Sequence, residues 1–145
     1  DREKYIEFCK RENHKTLLGY GLALSPEQLA AVDKEIAKLM SLTVPWDPPK
    51  TVKPKRPGID KEEPMYAYKL KQEADGRLYK FTSSKFKTYF VMSTNCVLLA
   101  DTIVGAAGTD ILSVRGFISP GTYQDYLDKE FERPHSLVVT KRVYQ

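Results

Sequence analysis

Cysteine, histidine and tryptophan are scarce in this chain, and each scarcity narrows what the protein can do. The two cysteines, Cys9 and Cys96, lie far apart and match neither a zinc-ligand spacing nor a CxxC redox pair. Both fall in apolar stretches, where a free cysteine is expected to act as a small buried hydrophobe. Unpaired thiols favour a reducing compartment. The two histidines, His14 and His135, have no neighbour at metal-ligand spacing. The most apolar run, Cys96 to Ala107, is too short for a membrane span and is broken by Asp101. No GK[ST] phosphate loop and no RNP-type aromatic pattern occurs. No secretory signal is legible, and the chain opens on Asp1-Arg2-Glu3-Lys4 without Met, the expectation for an excerpt or a processed mature chain. None of this implies a cofactor or a metal.

What is present describes a globular protein. With 145 residues, 41% of them hydrophobic and 29% charged, the chain is expected to form one domain around one core. The net charge is +4, but residues 67–92 alone carry six basic and two acidic side chains. The positive surplus is therefore local.

Arg2 to Glu12 reads as a short helix. A second helix is better marked: Ser25 as N-cap, Pro26 at the first position, and Gln28 placed to close a capping box. Leu29, Val32, Ile36, Leu39 and Met40 follow at helical spacing, and the helix should end near Leu42. Six prolines then fall between Thr43 and Pro64. That density denies regular backbone pairing and favours an extended arm. Trp46, the only tryptophan, sits in this arm, either as a peg into the protein's own core or as an anchor into a partner.

Beyond the arm the pattern switches to alternation. Met65 to Glu73 and Leu78 to Ser83 flank Asp75-Gly76, the residue pair of a tight hairpin, with Gly76 expected at positive φ. In that register Tyr66, Tyr68, Leu70, Tyr79 and Phe81 share one face. Lys71 opposes Lys80 on the other, with Lys69 beside it. A third strand over Lys85 to Met92 would extend the basic face through Lys85 and Lys87. Such a face suits an anionic partner, namely nucleic-acid phosphate, anionic headgroups or an acidic protein surface.

Further along, Thr94 to Val104 is apolar nearly all round and fits a buried helix or a buried strand, which periodicity does not separate; Thr94 or Asn95 as a cap favours the helix. Asp110 to Gly116 reads as a strand, Ser119-Pro120 starts another helix, and Leu137 to Tyr144 closes as a strand. Gly19-Tyr20-Gly21 resembles a dinucleotide loop only superficially, since Leu24 stands where the third glycine belongs; a loose turn is expected. Gly105 to Asp110 reads as a tight turn. Asp125 and Asp128 share a helix face and are expected to satisfy the helix dipole.

The expected fold is α+β: N-terminal helices over 1–42, a Pro-rich arm over 43–64, then a mostly antiparallel sheet with one or two packed helices over 65–145. The expected function is that of a non-enzymatic accessory or interaction subunit. It would bind a protein partner through the arm, with Trp46, and the basic face of Lys69, Lys71, Lys80, Lys85 and Lys87. One alternative is a nucleic-acid-binding module using the same lysines against phosphates. Another is a small enzyme drawing on Cys96, His135, Asp101 or Asp110.

Overall fold

Ser25 and Ser119 show most directly how local sequence makes local structure in this chain. In the computed structural model, which describes residues 1–13, 16–53, 58, 61–88, 96–108 and 119–145, both serines cap helices as the sequence predicts. The Ser25 hydroxyl accepts from the Gln28 N–H at 3.1 Å, and the Gln28 side chain accepts from the Ser25 N–H at 2.9 Å. That closed capping box satisfies two of the three N–H groups this helix start leaves unpaired, Pro26 having none. Ser119 accepts from the Thr122 N–H at 3.2 Å, and proline follows each serine at a position where its missing N–H costs nothing.

The described elements run α1 (Arg2–Asn13), β1 (Leu17–Leu22), α2 (Pro26–Met40), β2 (Thr43–Pro45), β3 (Thr51–Val52), β4 (Glu63–Pro64), α3 (Tyr66–Ala74), β5 (Tyr79–Phe81), a 3-10 turn (Lys85–Lys87), α4 (Cys96–Gly105), α5 (Pro120–Glu132) and β6 (Val138–Tyr144). The fold is α+β, with helices and small antiparallel two-stranded sheets ordered β1–β6, β2–β5 and β3–β4. Among the described residues no helix is long and apolar enough to cross a membrane.

The chain divides into two compact units: residues 1–17, 45–80 and 143–145, and residues 18–44 and 81–142. In the first, α1 packs on α3. Phe8 is fully buried, and its ring meets Tyr66 edge-on at 5.3 Å and 62°. Cys9 and Ala74 are buried in the same unit. Around this contact Arg11 pairs with Glu73 at 2.7 Å and Lys69 with Glu12 at 3.8 Å. Against the expectation that its prolines would deny regular pairing, the arm carries β2, β3 and β4 and doubles back on itself; every strand of a two-stranded sheet is an edge, where proline is tolerated. Thr51 stands opposite Pro64 and Val52 opposite Glu63 in an antiparallel pair, and Pro48 is buried. Pro54 and Pro57 lie outside the described residues.

In the second unit α2 packs against α4, and α4 against α5, burying Leu39, Val97, Ala107 and Val138. The apolar stripe of α2 forms, yet Leu29, Ile36 and Met40 remain exposed and Leu39 alone of the stripe is buried. β1 pairs with β6, and the Ala23 N–H donates to the Leu137 carbonyl at 2.9 Å.

Three expectations are corrected. Met65 to Glu73 is not a strand: Tyr66–Ala74 is helix α3. Asp75-Gly76 is therefore a helix stop and not a hairpin loop. Asp75 takes the left-handed conformation, φ 53° and ψ 44°, and Gly76 is not among the positive-φ glycines of the described residues, which are Gly58 and Gly108. The physical reason was present in the sequence. No β-branched residue occurs between Met65 and Asp75, Ala67, Leu70, Lys71, Gln72, Glu73 and Ala74 are good helix formers, and Tyr66, Leu70 and Ala74 recur at a spacing of four. Alternating Tyr66, Tyr68 and Leu70 masked that longer period. Second, Gly19-Tyr20-Gly21 is no loose turn but the middle of β1. A Cβ on Gly21 would overlap Thr140 Oγ1, so the glycine admits a close cross-strand approach. Third, Lys85–Lys87 is a 3-10 turn, while residues 89–92 of the expected third strand lie outside the described residues. The expected strand over Asp110 to Gly116 and the caps Thr94 and Asn95 lie outside them too. Of the tight turn expected over Gly105 to Asp110, the described part turns, with the Gly108 N–H donating to the Gly105 carbonyl at 3.0 Å and Gly108 at φ 74°; Thr109 and Asp110 lie outside the described residues.

Candidate functional site

With the hairpin gone, the basic sheet face is gone as well, and its lysines are distributed differently. Lys69 and Lys71 project from α3, Lys80 lies in β5, and Lys85 and Lys87 belong to the 3-10 turn. Lys69 pairs with Glu12 and Lys71 with Asp47. Lys85 Nζ sits 5.3 Å from the Phe86 ring centroid.

Trp46 and Lys71 nevertheless meet, in a cleft that the sequence did not disclose. Within the first unit Pro45, Trp46, Asp47, Lys71, Arg77, Leu78 and Tyr79 line a cavity of about 300 Å³. Its construction follows from the backbone. The Trp46 N–H donates to the Leu78 carbonyl at 2.9 Å, which holds the arm beside the segment leaving α3. The left-handed Asp75 turns the chain out of α3, so that Arg77, Leu78 and Tyr79 return alongside the arm. The Lys71–Asp47 ion pair joins α3 to the arm from the other side. Trp46 is half-buried and Tyr79 is exposed, so neither ring is consumed by a core. The Lys71 ammonium is committed to Asp47. Among the described residues Arg77 makes no ion pair or hydrogen bond and is exposed. The cleft therefore offers two large rings, the apolar surfaces of Pro45 and Leu78, and a guanidinium with no counter-ion among the described residues. Arg77 went unremarked in the sequence because no pattern ties it to Trp46; only the arm's return past α3 does.

A second cluster, in the other unit, was also missed. Asp128 of α5 accepts from the Tyr20 hydroxyl at 2.6 Å and from Lys141 Nζ at 2.6 Å, and the Lys141 ammonium lies 5.8 Å from the Tyr20 ring centroid. Asp128 thus clamps β1 and β6 to α5; contrary to the expectation, neither it nor Asp125 lies in the first turn of α5, where a carboxylate meets the helix dipole. The Lys141 hydrogen bond, then that of Tyr20, holds the Asp128 carboxyl below the usual carboxylate range. Burial and the hydrogen bond to Asp128 push the Tyr20 phenol up. A phenol that resists ionisation is a poor base or nucleophile, so the cluster reads as a structural tie.

The residues of the enzymatic alternative are placed as follows. Cys96, expected to be buried, is exposed at the start of α4. Asp101 lies within α4; its charge, after burial, helps push the Tyr123 phenol up to about 12. His135 is exposed at positive φ, 60°, in the turn after α5. Asp110 and His14 lie outside the described residues. Among the described residues no three His, Cys, Asp or Glu side chains stand close enough to hold a metal ion. Buried Glu130 is satisfied by the Ser136 hydroxyl at 3.1 Å and by Arg133 at 2.9 Å.

No protein-family model, curated protein or solved structure matches this chain.

Proposed function

We propose that the protein is an interaction module that binds a protein partner through the cleft where the Pro-rich arm meets the segment following α3. One observation carries the reading: Trp46, the sole tryptophan, lines an open cleft with the exposed Tyr79 and with Arg77, which has no ion pair among the described residues, instead of entering a core. Trp, Tyr and Arg are the residues that most often dominate binding energy at protein interfaces, where large rings give contact area at low entropic cost. A cavity of about 300 Å³ stands at the lower end of small-molecule pockets and fits an anchoring side chain better than a cofactor.

The nucleic-acid alternative draws less support. It required several cations in one track, and Lys69 and Lys71 are engaged by Glu12 and Asp47. The experiment is quantitative capture of cross-linked partners by the wild type, Trp46→Ala and Tyr79→Ala, with folding checked by circular dichroism. A protein bound by the wild type at defined stoichiometry should be lost with both folded variants. Capture unchanged by both would refute the cleft as the binding site. Tyr79 is exposed, so its variant keeps the test valid should Trp46→Ala unfold.

A further inference from the structure

Resting on the reading of the Trp46 cleft as a partner site, we propose that its occupant is an acidic peptide segment of the partner, in which a Glu or Asp stands next to an apolar residue. The carboxylate is bound by Arg77, and the apolar neighbour lies against Trp46 and Tyr79.

Charge decides the first half. Three ionised side chains line the cleft, Asp47, Lys71 and Arg77. Asp47 and Lys71 neutralise one another, leaving the guanidinium without a counter-ion among the described residues. A guanidinium presents a planar fork that matches a carboxylate with two parallel hydrogen bonds, which an ammonium does not. Within the unit that holds the cleft, residues 45–80 carry nine basic and six acidic side chains, a surplus that favours an acidic segment over a basic one.

Shape decides the second half. Pro45, Trp46, Leu78 and Tyr79 supply apolar surface on the same cavity, and about 300 Å³ admits one or two side chains. The Trp46 N–H takes no part. It is already bonded to the Leu78 carbonyl, so strand addition at that group is blocked and recognition falls to side chains. Single-stranded nucleic acid also stacks on aromatic rings beside cations, but it needs a groove of cations following its phosphates; of the two cations lining the cleft, Lys71 is engaged by Asp47.

Trp46 is the only tryptophan, so intrinsic fluorescence reports on the cleft without a label. The full chain is titrated with an acetylated, amidated peptide of Glu-Leu-Pro repeats, with its Gln-Leu-Pro counterpart and with oligothymidylate, and calorimetry runs in parallel. The Glu peptide should saturate with a change in Trp46 emission. The Gln peptide should bind about tenfold more weakly, the loss that follows when a charge-assisted hydrogen bond is removed. Arg77→Gln should bring the Glu peptide down to the Gln peptide's affinity, and added salt should narrow the same gap in the wild type. Equal affinity for the two peptides, discrimination that survives Arg77→Gln, or binding of oligothymidylate in preference to both would overturn the proposal. So would the absence of heat and emission change with either peptide. In that last case the cleft as a partner site is judged separately by the Trp46→Ala and Tyr79→Ala capture.

Discussion

Gly21→Ala is expected to destabilise the protein although alanine is the better-behaved residue almost everywhere else in a chain. Replacing glycine by alanine in a compatible extended conformation restricts the unfolded state and stabilises by roughly 0.4–1 kcal/mol. At Gly21 that gain is opposed by sterics. The new Cβ would overlap Thr140 Oγ1 and would lie 3.4 Å from Thr140 Cβ and 3.9 Å from Cγ2. Threonine is branched at Cβ and stiff about χ1, so much of the relief must come from moving β1 away from β6. Overpacking of this kind costs about 1–3 kcal/mol, which outweighs the entropic gain and leaves a net loss on the order of 1 kcal/mol. The cause is isolated by Thr140→Ala, which removes both branches and by itself should cost no more than about 1 kcal/mol of strand preference. In the double variant the alanine side chains fit, so the two changes should couple favourably by about 1 kcal/mol or more. The assay is denaturant melting of the wild type, both single variants and the double variant. A Gly21→Ala midpoint at or above wild type, or strictly additive free energies, would refute the close approach of β1 and β6.

Three further outcomes are expected. Ser25→Ala should lower stability by about 1 kcal/mol, because it opens the capping box with Gln28; an unchanged melting midpoint would place the helix start elsewhere. Phe8→Ala should cost about 3–5 kcal/mol, since Phe8 is fully buried against Tyr66, and a loss below about 1 kcal/mol would show that α1 does not pack on α3. Asp128 has a folded pKa below its ordinary value of 3.8, so its clamp should be fully present above about pH 4 and be lost as pH falls through the folded pKa. Asp128→Asn should therefore flatten the acid limb of the stability–pH profile, and an unaltered limb would remove Asp128 from that role.

Several features were legible residue by residue. Ser25-Pro26 and Ser119-Pro120 announce helix starts because a cap needs only a hydroxyl and an N–H two or three residues away. Proline's hold on its own backbone and its neighbour's was legible between Thr43 and Pro64, but the β3–β4 pairing that folds this segment back was not. α3 was legible and misread. Two periods coexist in Met65 to Ala74, and the Asp-Gly pair that closes hairpins also ends helices, here through Asp75 in the left-handed region.

What only the tertiary structure decided is which side chains become neighbours across long stretches of chain. Asp128 was visible as one of two carboxylates on a helix face, but its bonds to Tyr20 and Lys141 depend on β1, β6 and α5 meeting. Trp46 was singled out by its rarity. Its company in the cleft, Arg77, Leu78 and Tyr79, depends on a backbone hydrogen bond between residues 46 and 78. Capping acts over a few bonds, so sequence by itself determined the starts of α2 and α5 and the α+β class. The cleft and the clamp arise from hydrogen bonds and ion pairs between residues far apart in the chain, whose meeting is set by how the helices pack.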